Sequence, residues 1–476
     1  MKALLVVLVL MVALGALAQE PIDPAFDPPL TDPSASGGRV RWNGTIGMVV
    51  INGRIYQQFG LRPDFPLGKF GVGLDFTFRF DENGSLKDDE WDDAQDYLEK
   101  IYYIRYGLPG DPFYVRVGAL DNVTLGYGII MRRYSNTIQY PEVKRVGIYT
   151  EGGTKQVSWQ GMFNNLGELD EPGLMAGRVA YNTGLKGLTV GATLAHDGNQ
   201  FAGLRDDDDD GVPNRLDLFA DRNDFDLQRN LLAAFHDNPE DLDYLIENGF
   251  LPDVRDSLRS YKDIKESVTL MGADVGIPLL KRKAVSIWTY AQIAKVADYG
   301  WGWAFPGMRM VAGPVEIGAE YRHYEKQFLG QFYDFVYEIE RVQLFRDSLF
   351  ITKERTLENL GKADGVFTDV LLSLANLGYA YSWYEDMQGD NFPSGRSIYI
   401  ETGIYPPPIS RLQRVAAYYM QPRVRRLFER HTEGTIYGGK LFFALASNVS
   451  LVYDHRVTYY NGESHRTIRV ETMITF

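Results

Sequence analysis

Period-two alternation over strand-length segments is the feature that most limits what this chain can fold into. In Lys69 to Phe80, KFGVGLDFTFRF, the residues Phe70, Val72, Leu74, Phe76, Phe78 and Phe80 fall on one face. Lys69, Gly71, Gly73, Asp75, Thr77 and Arg79 fall on the other. Successive side chains of a strand point to opposite faces, so this strand has one apolar and one polar side. The alternation recurs in Phe113 to Ala119, Val285 to Ile293, Val315 to Tyr324, Ile398 to Ile404 and Val449 to Tyr459. A sandwich strand alternates too, but so many large apolar residues along one side of one strand favour lipid as the neighbour.

The N-terminus supplies the export route that such strands require. Lys2, the apolar run Ala3 to Leu14 and Ala16-Leu17-Ala18 read as a signal peptide over residues 1–18. The alternative, a membrane anchor, is disfavoured because the run is short for a spanning helix. Residues 19–38 are rich in Pro, Asp and Ser and are expected to form a disordered periplasmic linker. No later stretch reaches the ~18 consecutive apolar residues of a transmembrane helix. The exported chain is therefore soluble or a closed barrel, the other structure that satisfies every backbone polar group in lipid. Tyr 30, Phe 26 and Gly 48 with a mean hydropathy of -0.24 suit strands between lipid and water. Cysteine is absent, which excludes a disulfide scaffold and thiolate metal sites. A net charge of -14 argues against nucleic acid as a partner and suits acidic external loops.

Connections alternate between short and long. Short turns are read at 107–111, 151–154, 182–186, 405–410 and 446–448. Long loops are read at 81–98, 121–142, 197–263, 327–363 and 421–434. The expected fold is all-β, a transmembrane antiparallel β-barrel of roughly 16 to 20 strands over residues 39–476. Segments 39–60 and 327–350 can be read as strand or loop. Residues 197–263 form an extracellular insertion, with helix patterns over 224–262 capped by Asn238 and Pro239.

The last segment, TIRVETMITF, puts Ile468, Val470, Ile474 and Phe476 on one face and Arg469 and Glu471 on the other. A final alternating strand ending in an aromatic residue resembles the signal that outer-membrane barrels present to their assembly machinery. With the strand train, the chain resembles Gram-negative outer-membrane β-barrel proteins of porin-like architecture. That resemblance implies the cell outer membrane as location and the lipid bilayer, the barrel-assembly machinery and small solutes as partners.

Three constellations could carry function. In Asp206 to Asp217, DDDDDGVPNRLD, the ligand positions of a calcium loop fall on Asp206, Asp208, Asp210, Val212 (by its carbonyl), Asn214 and Asp217, with Gly211 at the sharp turn. The segment resembles EF-hand and thrombospondin type 3 calcium loops, implying structural Ca2+. It departs from them in carrying Asp at the last position, and a solvated acidic loop is the alternative. Next come the inward charges. Arg79, Arg105, Arg116 and Arg178 lie in the first half, Glu316, Glu320 and Glu401 in the second. Facing walls of opposite sign would resemble the constriction of general porins; a paired network filling a closed lumen is the other reading. Finally, Leu120 to Pro141 carries the adjacent Arg132 and Arg133 and resembles a loop folded into a lumen. Two extra strands or an external loop are its alternatives.

His196, His236, His323, His431, His455 and His465 are scattered without metal-ligand spacing, and no nucleophile or phosphate motif is present. The chain is expected not to be an enzyme. A porin-like channel for passive passage of small solutes is the leading function, with a plugged barrel presenting a calcium-stabilised loop as the alternative.

Overall fold

The structure, a computed structural model, describes residues 40–204 and 265–475. Excepted are 52–53, 88–90, 92–93, 141–142, 170–172, 346–348, 375–376, 391–394, 407–410, 429–431 and 461; between 205 and 264 it describes Tyr244 alone. The expected cleavage site and linker, the helix patterns of 224–262 and the calcium loop lie outside the described residues.

Long strands run through the chain as the alternation predicts. They are β1 (Arg41–Ile51), β2 (Arg54–Leu67), β3 (Phe70–Leu74 and Phe76–Phe80), β4 (Ile101–Tyr106) and β5 (Phe113–Gly118). Then follow β6 (Gly147–Gly153), β7 (Val157–Phe163), β8 (Leu174–Asn182), β9 (Thr189–Asp197) and β10 (Val268–Lys281). The second half has β11 (Val285–Val296), β12 (Trp301–Ala312), β13 (Val315–Tyr324), β14 (Ala363–Ser373) and β15 (Gly378–Gln388). Last are β16 (Arg396–Ile404), β17 (Leu412–Val424), β18 (Ile436–Ala446), β19 (Val449–Tyr460) and β20 (Glu463–Thr475).

Each strand pairs antiparallel with its neighbours in sequence. β1 pairs with β20 from Asn43↔Thr475 to Val50↔Ile468, which closes the sheet. The sheet has 21 strand segments, and the two halves of β3 both pair with β2, so the barrel has 20 strands. That is the upper end of the expected range. Closure leaves no unpaired edge.

The reading of Lys69 to Phe80 as one uninterrupted strand needs a correction. The ladder with β4 shifts register between Gly73 and Leu74, and the Asp75 backbone N–H turns to the Lys100 carbonyl at 2.8 Å. The faces survive the break: Gly71, Gly73, Asp75, Thr77 and Arg79 are buried, while Phe70 and Phe78 are exposed.

Both termini of the barrel lie at one end. The connections at that end are short: residues 68–69, 107–112, 154–156, 183–188, 282–284, 313–314, 374–377, 405–411 and 447–448. The connections of 20 residues or more, over 81–100, 119–146, 198–267 and 325–362, all leave from the opposite end. Gly68, with φ +66, makes the first short turn possible, a conformation that a Cβ disfavours.

Candidate functional site

Two of the long connections turn inward rather than outward. In 119–146, Leu125, Ile130, Met131 and Tyr134 are buried, and so are Phe328, Phe332, Tyr333 and Tyr337 of 325–362. They share one apolar cluster with lumen-facing Leu174, Leu270, Ala294 and Ala304. The two segments also bond to each other. Gln331 N–H donates to the Ile129 carbonyl at 2.7 Å, Tyr333 to Ile130 at 3.1 Å, and Arg132 to Tyr333 at 3.1 Å. Arg133 and Gln331 sit at positive φ, +52 and +54, beside this short parallel ladder. That conformation costs about 1 kcal/mol or more for a residue with a Cβ and holds only when the surroundings impose it.

Ion pairs fasten this plug. Arg341 makes a bidentate pair with Asp197 at the end of β9, Nε to Oδ2 at 2.9 Å and Nη2 to Oδ1 at 3.0 Å, both side chains wholly buried. Tyr337 donates to the same carboxylate at 2.5 Å. Glu338 joins Arg341, Arg145 and Tyr134, so one carboxylate holds both inward segments. Lys353 and Arg423 close around Glu340.

The plug covers the side of the lumen that carries Glu320 and Glu401. Glu320 on β13 accepts from Tyr290 at 2.8 Å and from Arg322 at 2.7 Å, with Arg132 at 3.7 Å. Glu401 on β16 accepts from Tyr379 at 2.6 Å, Tyr399 at 2.7 Å and Arg133 at 2.5 Å. Glu316 pairs with Arg309, which also reaches Asp369 at 3.3 Å. The Arg132 and Arg322 guanidiniums lie over the Phe367 ring, and Arg133 lies over Tyr381 and Tyr399. The adjacent arginines that mark 120–141 in the sequence are thus the contacts that seat this loop on the carboxylates.

The arginines of the first half do not form one continuous wall. Arg178 on β8 pairs with Asp274 on β10 at 3.0 and 2.6 Å. Arg105 and Arg116 stand opposite each other on β4 and β5. Arg105 donates to the Lys69 and Gly107 carbonyls, at 3.1 and 2.8 Å, and Arg116 lies beside the Tyr102 and Tyr103 rings. Arg79 is buried on β3. All nine residues read as pore-lining face inward, but most are packed and paired rather than bathed in water.

Two cavities lie between the plug and the wall formed by β17–β20 with β3 and β4, and a smaller one of about 10 Å3 lies between the plug and β9–β11, lined by Tyr127, Ile129, Thr193, Asp274 and Gln292 among others. A cavity of about 20 Å3 is lined by Thr137, Tyr140, Tyr418, Lys440, Asp454, Arg456, Thr467 and Arg469. A second, of about 30 Å3, is lined by Thr137, Tyr140, Asp75, Tyr102, Lys144 and their neighbours. Each has room for about one water molecule. Thr137 and Tyr140 border both. Tyr140 donates to Asp75 at 3.2 Å, and Arg469 lies 5.8 Å from its ring centre. This crossing point was not singled out in the sequence, where Tyr140 reads as one aromatic among 30 tyrosines.

The outer surface is the inverse of the inner one. Ile46, Met48, Ile55, Phe59, Val179, Leu194, Ile293, Phe305 and Met308 are exposed on successive strands, while Arg62, Arg322, Glu401, Arg469 and Glu471 are buried inside. A closed ring of strands with an apolar exterior and charged interior is stable only with lipid around it. The chain is a transmembrane β-barrel. No family model matches it, and no curated protein does. Among solved structures, OprD of Pseudomonas aeruginosa is similar at 8% identity over 94% of this chain and 99% of that one, with a TM-score of 0.32. The siderophore receptor PirA of Pseudomonas aeruginosa matches at 10% identity over 92% and 81%, TM-score 0.36. A triple mutant of the Rhodopseudomonas blastica porin matches at 8% identity over 92% and 99%, TM-score 0.29.

Two glycines record how closely the plug presses on this transmembrane barrel. A Cβ on Gly276 of β10 would stand 1.9 Å from the Tyr127 hydroxyl, and one on Gly302 of β12 would stand 2.4 Å from the Phe328 ring. Among the described residues, no group of three or more acidic or His side chains is placed to hold a metal ion.

Proposed function

We propose that this barrel is a porin-like channel of small bore, passing small solutes along the side of its lumen rather than through the centre. The observation that carries this reading is that two cavities meet at the same pair of residues, Thr137 and Tyr140. The plug is seated on the acidic wall by Arg132 and Arg133, and the two larger of the cavities described above lie on the opposite side. The Tyr140 ring stands between the cavities, held by one hydrogen bond to Asp75. A rotation about its side-chain torsions joins them without moving the plug, and such rotations are fast compared with loop motion.

The test is conductance in planar bilayers. The wild-type protein should give small single-channel steps, and Tyr140→Ala should give larger ones. A second reading, a sealed barrel that serves as a surface platform, is favoured by the ion pairs that tie both inward segments to the wall. Absence of conductance in both proteins would overturn the channel and leave the platform.

A further inference from the structure

We infer that the solutes passed beside Tyr140 are small anions, and that Arg456 is the residue that selects them. This rests on the channel reading above. The charge balance of the lumen is uneven in a way the acidic total of the chain conceals. On the covered wall each of Asp274, Glu316, Glu320, Asp369, Glu385 and Glu401 has a guanidinium within 4 Å, so little negative field is left over. The crevice has the opposite surplus. The cavity on the β18–β20 side is lined by Lys440, Arg456 and Arg469 against a single carboxylate, Asp454. Asp454 receives Arg469 at 2.8 Å and Lys440 at 3.9 Å. On the far side of Tyr140 the lining charges are Lys144 and Arg145 with Asp75 and Glu99, where Asp75 also pairs with Arg62 and Arg145 with Glu338.

Arg456 supplies the surplus charge. Among the described residues no carboxylate lies within ion-pair distance of its guanidinium, and its one hydrogen bond goes to the Ile138 carbonyl at 2.7 Å. Ile138 neighbours Thr137 in the inward loop, so the cation is held at the border of the crossing point. Arg456 is partly buried and shares the charge of Asp454 with Arg469 and Lys440, which leaves a positive surplus. In a narrow, low-dielectric crevice such a surplus attracts anions and repels cations more than the same charge does in open water. The net charge of -14 would by itself give the mouths the opposite preference, so the two sources of field predict opposite signs.

Reversal potentials across a potassium chloride gradient decide between them. The wild-type channel should prefer chloride. Arg456→Gln should lower the chloride-to-potassium permeability ratio by about tenfold, because one unit charge acting across ~6 Å of water is worth about threefold on each ion, in opposite senses. The glutamine amide can still donate to the Ile138 carbonyl, and no carboxylate loses its partner, so the barrel should fold. Asp454→Asn, which keeps the side-chain volume, should raise the ratio. A wild-type channel that conducts but prefers potassium would overturn the inference and leave the channel standing. So would an unchanged ratio in both variants with their folded gel bands intact. Absence of conductance in the wild type and in Tyr140→Ala would overturn the channel and the inference together.

Discussion

Replacing Arg341 with Met removes the strongest link between the plug and the barrel. The side chain donates twice to Asp197, once to Glu338 at 3.4 Å and once to the Asn199 carbonyl at 2.9 Å. Methionine fills much of the volume and makes none of these bonds. Asp197 would keep Tyr337 and the Asn199 N–H, and Glu338 would keep Arg145, but among the described residues the only cation paired with Asp197 would be gone. Removing one member of a buried pair costs about 3–5 kcal/mol. At 1.4 kcal/mol per factor of ten, the population with the plug undocked should rise by about a hundredfold to a few thousandfold. Arg341 lies in a loop, so the barrel ladder should be untouched. Hydrogen exchange in detergent or nanodiscs reads both parts at once. Amides of 129–133 and 331–341 should lose protection while those of β10–β13 keep theirs. Unchanged protection in the plug would refute the claim that this pair fastens it. Uniform loss across the strands would refute the separation of plug from barrel.

Two further outcomes are expected. We propose that Asp206–Asp217 binds calcium; Asp208→Ala with Asp210→Ala should abolish calcium binding by the full-length protein in a calorimetric titration, and absence of millimolar binding in the wild type would contradict the motif. Half-burial, and after it the nearby Glu266 and Asp298 carboxylates, raise the Glu354 pKa from its ordinary 4.5 to about 7. The folded turn 354–359 then holds its proton more tightly than the unfolded one, so its stability should fall as pH rises from about 4.5 through 7. Limited proteolysis at pH 5 and pH 8 should reveal this, and Glu354→Gln should abolish the difference.

The strand train was legible because lipid imposes a strict period of two. The parity of Ile468, Arg469, Val470 and Glu471 read from the sequence is the parity seen in the barrel. The inward direction of 120–141 was legible only as one option, because a loop rich in Gly, Tyr and Asn suits either place. Its partner segment was not legible at all: the hydrogen bonds from 331 and 333 to 129 and 130 join residues some 200 positions apart, and no local pattern encodes them. The alternation assigns the inward charges to a face but not to partners. Which arginine meets which carboxylate depends on strand register and on the plug, as Arg178 with Asp274 and Arg133 with Glu401 illustrate.

The closing seam has a consequence for how the molecule is completed. Arg62 on the second strand is buried and pairs with Glu471 at 3.3 Å, and Gln58 donates to the same carboxylate at 2.8 Å. Those partners are separated by 409 and 413 positions, so nearly the whole chain must be laid down before either meets its acceptor. Until the final strand arrives, an early segment carries a cation whose counter-ion is still to come, and Asp75 at 3.1 Å can satisfy only part of it. A chain that stops short of Glu471 therefore leaves Arg62 with Asp75 alone, as well as a missing strand. Completion is checked electrostatically as well as by backbone pairing, and an incomplete barrel is disfavoured at the join that would otherwise seal it.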